Sequence, residues 1–147
     1  MRRPLVRPLV LVAGALVLLG LAGCAGPVLG VLEQEQTEQD QLTIRTDLDG
    51  VDLESTRFLA ERDGVEYFVA RPVAGTGTED TVCLLVEEGI GVGLECAPLT
   101  RGEVGATIRD SRVTAVLLPD DIDRNDLADE GFELLHPNLA VRPAGAD

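Results

Sequence analysis

Two cysteines, Cys83 and Cys96, stand 13 positions apart around a glycine-broken centre, and they constrain the fold more than anything else in the chain. Thr81 to Val86 and Val92 to Ala97 are rich in β-formers and flank Glu87-Glu-Gly-Ile-Gly91. A hairpin turning on Gly89-Ile90, with glycine first as a type II′ turn requires, sets Glu88 opposite Gly91. Counting outward then sets Cys83 opposite Cys96, at a non-hydrogen-bonded position where side chains lie closest. The same register gathers Leu85, Val92 and Leu94 on the cysteine face, and a one-residue slip would scatter them. A disulfide closing this loop stabilises by roughly 3 kcal/mol in the chain-entropy model. A metal site would want further cysteine or histidine ligands, and a redox-active pair usually reads Cys-x-x-Cys.

Other elements follow from spacing. Asp52 is placed to cap a helix over Leu53 to Arg62, where Leu53, Thr56, Leu59 and Ala60 share a face and Asp63-Gly64 ends it. Val65 to Arg71 reads as a strand stopped by Pro72. Val104 to Arg109 and Arg112 to Leu118 alternate apolar and polar, as two strands turning at Asp110-Ser111 do. Asp120 to Glu130 is an acidic turn leading into a short helix capped near Asp123, with Gly131 as its stop. Phe132 to Leu135 and Leu139 to Arg142 read as strands around a His136-Pro-Asn turn. The expected fold class is α+β: one N-terminal helix, then an antiparallel meander of about five strands with a cross-strand disulfide. The domain is expected over residues 42–143, with a tail over 144–147. Aromatic residues make up 3% of the chain, so aliphatic side chains must fill its interior.

The start of the chain carries a different message. Arg2, Arg3 and Arg7 precede a 13-residue apolar run, Leu9 to Leu21. A bilayer-spanning helix needs about 20 residues, so the run fits a secretory leader rather than a permanent span. It ends in Leu21-Ala22-Gly23-Cys24. That sequence resembles the lipobox of bacterial lipoproteins. The resemblance implies a signal peptide over residues 1–23, cleavage between Gly23 and Cys24, and diacylglycerol attachment to the Cys24 thiol. It also implies a protein lipid-anchored on the extracytoplasmic face of the cell membrane. Two or three acyl chains suffice for stable attachment, at about 0.8 kcal/mol per buried CH₂. Residues 24–41 then read as the lipidated cysteine and a flexible acidic tether, because Glu33 to Gln41 holds no apolar residue. A short helix over Leu29 to Gln39 is the other reading of that stretch.

The whole chain has formal net charge −14, and loss of the three leader arginines makes the remainder more acidic still. Such a surface repels nucleic acid, and no nucleic-acid partner is expected. The expected partners are the membrane, through Cys24, and an envelope protein. Catalytic groups are scarce. His136 is the single histidine, in a turn, and the serines are Ser55 and Ser111. Asp121, Asp123 and Asn125 have the alternating oxygen spacing of a calcium loop, yet Asp126 stands where that loop needs glycine and Phe132 where it needs glutamate. Asp47-Leu-Asp49-Gly50 is a second partial match, with Arg45 in the first ligand place. No cofactor motif is present. These residues point first to a non-catalytic binding or interaction module of the cell envelope, and second to a calcium-binding or carboxylate-using envelope enzyme.

Overall fold

The stretch whose Leu53, Thr56, Leu59 and Ala60 are spaced like a helix face is a β-strand. In the computed structural model, which describes residues 26–44 and 48–145, β1 (Val51–Arg62) pairs antiparallel with β2 (Val65–Pro72). Its pairing with β2 shifts register twice, between Asp52 and Arg57 and between Phe58 and Ala60. Bulges of this kind break the two-residue alternation, so Ser55, Thr56 and Arg57 are all buried in succession. That irregular burial is what imitated a helix. Asp52 does make a cap-like bond, accepting the Glu54 amide at 3.1 Å, but the chain beyond it enters a bulge. The turn after β1 is Asp63-Gly64, with φ of 55° and 78°. Two successive positive φ values make a type I′ hairpin turn, for which Asp-Gly is a favoured pair.

The α+β expectation is therefore corrected to a mainly β fold. One sheet runs β1-β2-β3-β4, adding β3 (Thr81–Glu88) and β4 (Gly91–Pro98). The second holds β5 (Thr107–Arg109), β6 (Val113–Leu117), β7 (Glu133–His136) and β8 (Leu139–Pro143) in the order β5-β6-β8-β7. Every pairing is antiparallel. The expected meander of about five strands is replaced by two sheets of four: β1 read as a helix, and the stretches read as strands around the His136-Pro-Asn turn join β5 and β6 in a sheet of their own. A six-residue helix, α1 (Arg124–Asp129), links β6 to β7, and the Asp123 carboxylate caps it by accepting the Asn125 amide.

The sheets face each other across one apolar layer. Leu59, Tyr67, Val69 and Leu84 from the first meet Ala115, Leu117, Leu139 and Val141 from the second. The outer face of the second sheet is covered by Ile122, Leu127 and Phe132 around α1. On the first sheet's outer face, Phe68, Cys83 and Leu85 are covered by Leu42, Leu48, Phe58 and Val92. The β3–β4 hairpin has the expected register, with Glu88 opposite Gly91 and Cys83 opposite Cys96. Gly89 takes φ 58°, as the first residue of a type II′ turn must. Cys83 and Cys96 are joined, with Cα atoms 4.0 Å apart.

From Gly26 to Ile44 the chain, expected as a tether as far as Gln41, lies against the domain as a strap. Leu29 and Leu32 enter the central core, and two short 3-10 turns, Gly30–Glu33 and Glu38–Asp40, take the place of an α-helix. Gln36 donates from Nε2 to the Leu53 carbonyl and to the Thr56 hydroxyl. Asp40 Oδ1 accepts the Phe58 amide at 2.8 Å, and its Oδ2 accepts the Thr37 amide at 2.6 Å. Buried Glu87 accepts the amides of Thr43 and Ile44. The leader, its box from Leu21 to Cys24, and Arg45, Thr46 and Asp47 lie outside the described residues.

Burial works to raise the Asp40 pKa, but the Phe58 and Thr37 donors and the nearby Arg57 charge outweigh it, so the carboxyl titrates below its ordinary range. A carboxyl depressed in the folded state stabilises above its unfolded pKa, and that stabilisation is lost as pH falls through the folded value. Asp40→Asn is expected to lower stability by about 1–2 kcal/mol at neutral pH. It should also flatten the decline below about pH 4; urea midpoints measured against pH check both. Peptide mapping of the oxidised protein is expected to recover Cys83 and Cys96 in one cross-linked fragment. Replacing both with serine should reduce stability by roughly 3 kcal/mol.

Candidate binding pocket

At one end of the sandwich the two sheets part enough to leave a cavity of about 330 Å³. The turns decide where it lies. The Asp63-Gly64 hairpin carries Arg62 and Val65 there, the β5–β6 turn brings Arg112 and Val113, and β8 leaves the second sheet through Val141 and Arg142. Val65, Val113 and Val141 form apolar walls. Tyr67, on the inner face of β2 opposite Ala60 and Val86, lines the cavity from within.

Tyr67 is 2% exposed, and its hydroxyl makes no hydrogen bond among the described residues. Among the described residues no fully buried side-chain polar atom lacks a partner, so this hydroxyl keeps access to the pocket. Burial raises its pKa, and the Asp110 and Glu88 charges add to that, against an opposing pull from Arg62 and Arg112. The phenol therefore stays protonated at neutral pH and is available as a donor.

Three guanidiniums surround it. Arg62 Nη1 donates to Glu133 Oε2 at 2.6 Å. Arg112 forks onto Glu88, with Nη1 donating to Oε1 at 2.8 Å and Nη2 to Oε2. This bidentate pair pulls the Glu88 pKa down and pushes the Arg112 pKa up. Asp110 is held low chiefly by the Arg112 and Val113 amides. Arg142 lies over the Phe132 ring, 4.9 Å from its centroid. Arg62 Nη2 and Arg112 Nε carry N–H groups that make no bond among the described residues. Three arginines thus gather at one mouth with apolar walls, each beside a carboxylate or a ring, and Asp63 lines the same mouth.

The sequence-picked residues are elsewhere. Asp121 accepts the Gly102 amide and pairs with Arg101, while Asp123 and Asn125 bond each other at the start of α1. Among the described residues no three His, Cys, Asp or Glu side chains converge as a metal site. Asp49-Gly50 forms a turn, and Asp47 lies outside the described residues. His136 Nδ1 accepts the Asn138 amide, and burial lowers its pKa against an opposing effect of Asp120. Ser55 donates to the Asp52 carbonyl and accepts the Arg71 amide, and Ser111 is exposed in the β5–β6 turn. Neither serine bonds His136, so the structure assembles no nucleophile–base pair from them. Cys24 and Gly23 lie outside the described residues.

Sequence reasoning missed the pocket because Arg62, Arg112 and Arg142 are scattered along the chain. The one signal was the lone Tyr67 in a β-rich run, and pairing partners were needed to show where it points. Comparison with protein-family models, curated proteins and solved structures finds no match to the chain.

Tyr67 is the single tyrosine, so ultraviolet absorbance follows it alone. Its ionisation is expected above the ordinary value of about 10. Asp110→Asn should lower that midpoint without restoring it fully, since burial is the larger cause. A spectrophotometric pH titration of the two proteins checks this.

Proposed function

We propose that this chain is a lipid-anchored, extracytoplasmic binding module of the bacterial cell envelope, with its pocket turned away from the membrane. The anchor reading rests on the charged start, the short apolar run and the box ending in Cys24. The joined Cys83–Cys96 pair fits an oxidising compartment.

The observation that carries the reading is the separation of the first described residues from the pocket. Arg101 donates to the Gly26 carbonyl, the Asp120 amide donates to the Val28 carbonyl, and the Gly30 amide donates to Asp120 Oδ2 at 2.7 Å. Asp120 follows the end of β6 at Leu117, whereas the pocket is built on the opposite end of that strand, at Val113. Cys24 stands two residues before Gly26, a reach of roughly 7 Å of extended chain. A lipid there would hold the domain close to the bilayer by the end bearing Asp120 and leave the pocket mouth toward the envelope space.

Binding fits the pocket better than catalysis. Its lining is three guanidiniums, the Asp63 carboxylate and a phenol over three valines and Pro143, with no nucleophile beside a base. Expressed as the full chain in a bacterium, the wild type is expected to take up radiolabelled palmitate and sediment with membranes. Cys24→Ala is expected to remain uncut and unlabelled. A labelled Cys24→Ala protein, or an unlabelled wild type, overturns the anchor.

A further inference from the structure

We propose that the pocket beside Tyr67 takes a small organic anion with an apolar body: a carboxylate or phosphate head held by Arg62 and Arg112, and a hydrocarbon tail against Val65, Val113 and Val141. The assignment rests on the reading of this domain as a binding module and is independent of where the protein is anchored.

Unused donors select the sign of the ligand. The carboxylates of Asp63, Glu88, Asp110 and Glu133 lie beside the guanidiniums at this mouth, and the N–H groups left over on Arg62 Nη2 and Arg112 Nε offer donors to an incoming oxygen. Planar guanidinium forks suit carboxylate and phosphate alike, which is why the head is given as an anion of either kind. The phenol of Tyr67 supplies one further donor from within. Of four cavities lined by described residues, the one beside Tyr67 gathers several arginines, while that beside Val73 has Arg71 and those beside Thr43 and Asp49 have none.

Size selects the class. A cavity of about 330 Å³ lies at the lower end of ligand pockets. It suits a short-chain acid or a small phosphate ester, and not a polymer. Apolar walls mean that a bare inorganic ion would leave most of the site unfilled.

The carboxylates around the rim set the affinity. Glu88 occupies the Arg112 fork and competes with any ligand for it. Removing that competitor should strengthen binding, while removing Arg112 should weaken it. Both side chains are largely exposed, so neither change threatens the fold.

The experiment uses the full chain, purified in a nonionic detergent without aromatic groups. It follows Tyr67 fluorescence, which no other tyrosine or tryptophan obscures. The probes are hexanoate, hexyl phosphate, hexanol, hexylammonium and inorganic phosphate. Saturable change with hexanoate or hexyl phosphate, and none with the other three over the same range, is expected; the tighter head identifies the anion. Arg112→Gln should weaken that binding about tenfold or more, and Glu88→Gln should tighten it several-fold. Saturation by hexanol to the same degree overturns the anion assignment while leaving a binding module in place. No response to any probe, or an affinity that neither variant moves, overturns the site itself. Palmitate labelling is scored separately, so anion binding by an unlabelled protein removes the anchor and keeps the pocket.

Discussion

The Asp40 carboxylate, bonded to the Phe58 amide, is where the strap and the first sheet hold one another. β1 ends its sheet and carries two register shifts, so several of its polar groups have no strand to pair with. An edge left in that state invites association and costs hydrogen bonds. Gln36, Gln34 and Asp40 meet these groups. Gln36 caps the Leu53 carbonyl and the Thr56 hydroxyl, the Gln34 carbonyl accepts from buried Arg57, and Asp40 accepts from Phe58. The same strap brings Leu29 and Leu32 into the core between the sheets and leads to Leu42 on the far face of the first sheet. Those few bonds, with Leu29 and Leu32, fix the strap on the edge of the first sheet and so the position of the first described residues.

Electrostatics organise the other end. In a chain so rich in acids, each arginine at the pocket mouth is oriented by a carboxylate or a ring: Arg62 by Glu133, Arg112 by Glu88, Arg142 by Phe132. Exposed pairs of this kind add little to stability. Their effect is positional. They hold planar donors around a phenol whose pKa burial raises further. Stability and recognition are thus separated in space, the first resting on the strap and the apolar layer, the second on the mouth.

Local rules read some elements well. The Gly89-Ile90 turn set the register of β3 and β4, and with it the cysteine pairing, because a two-residue hairpin leaves no freedom in the count. Asp123 was legible as a cap and Gly131 as a stop, since both act through the nearest backbone groups. The stretch from Val51 to Arg62 was misread for a physical reason. Its bulges bury consecutive residues, and its Leu, Glu, Ala and Arg suit a helix when taken alone. Asp63-Gly64 signalled a hairpin as strongly as it signalled a helix end, and only β2 lying alongside decided between them. The polar run from Glu33 to Gln41 looked unable to order itself because it has nothing to bury. Its side chains instead supply what β1 lacks.

By itself the sequence determined what a few neighbouring residues can settle: the central hairpin, its disulfide, the capped helix α1 and the acidic character of the surface. The box at Leu21 to Cys24 belongs to the same kind of local reading, and the anchor proposed from it awaits its chemical test. Tertiary structure alone decided that β1 is a strand, that the polar segment is a strap, and that Arg62, Arg112 and Arg142 converge on Tyr67. Hairpin and cap depend on bonds between residues close in the chain, which composition and spacing encode directly. Bulge repair and a shared pocket depend on groups far apart in the chain, and they acquire a common location only when two sheets have closed on one core.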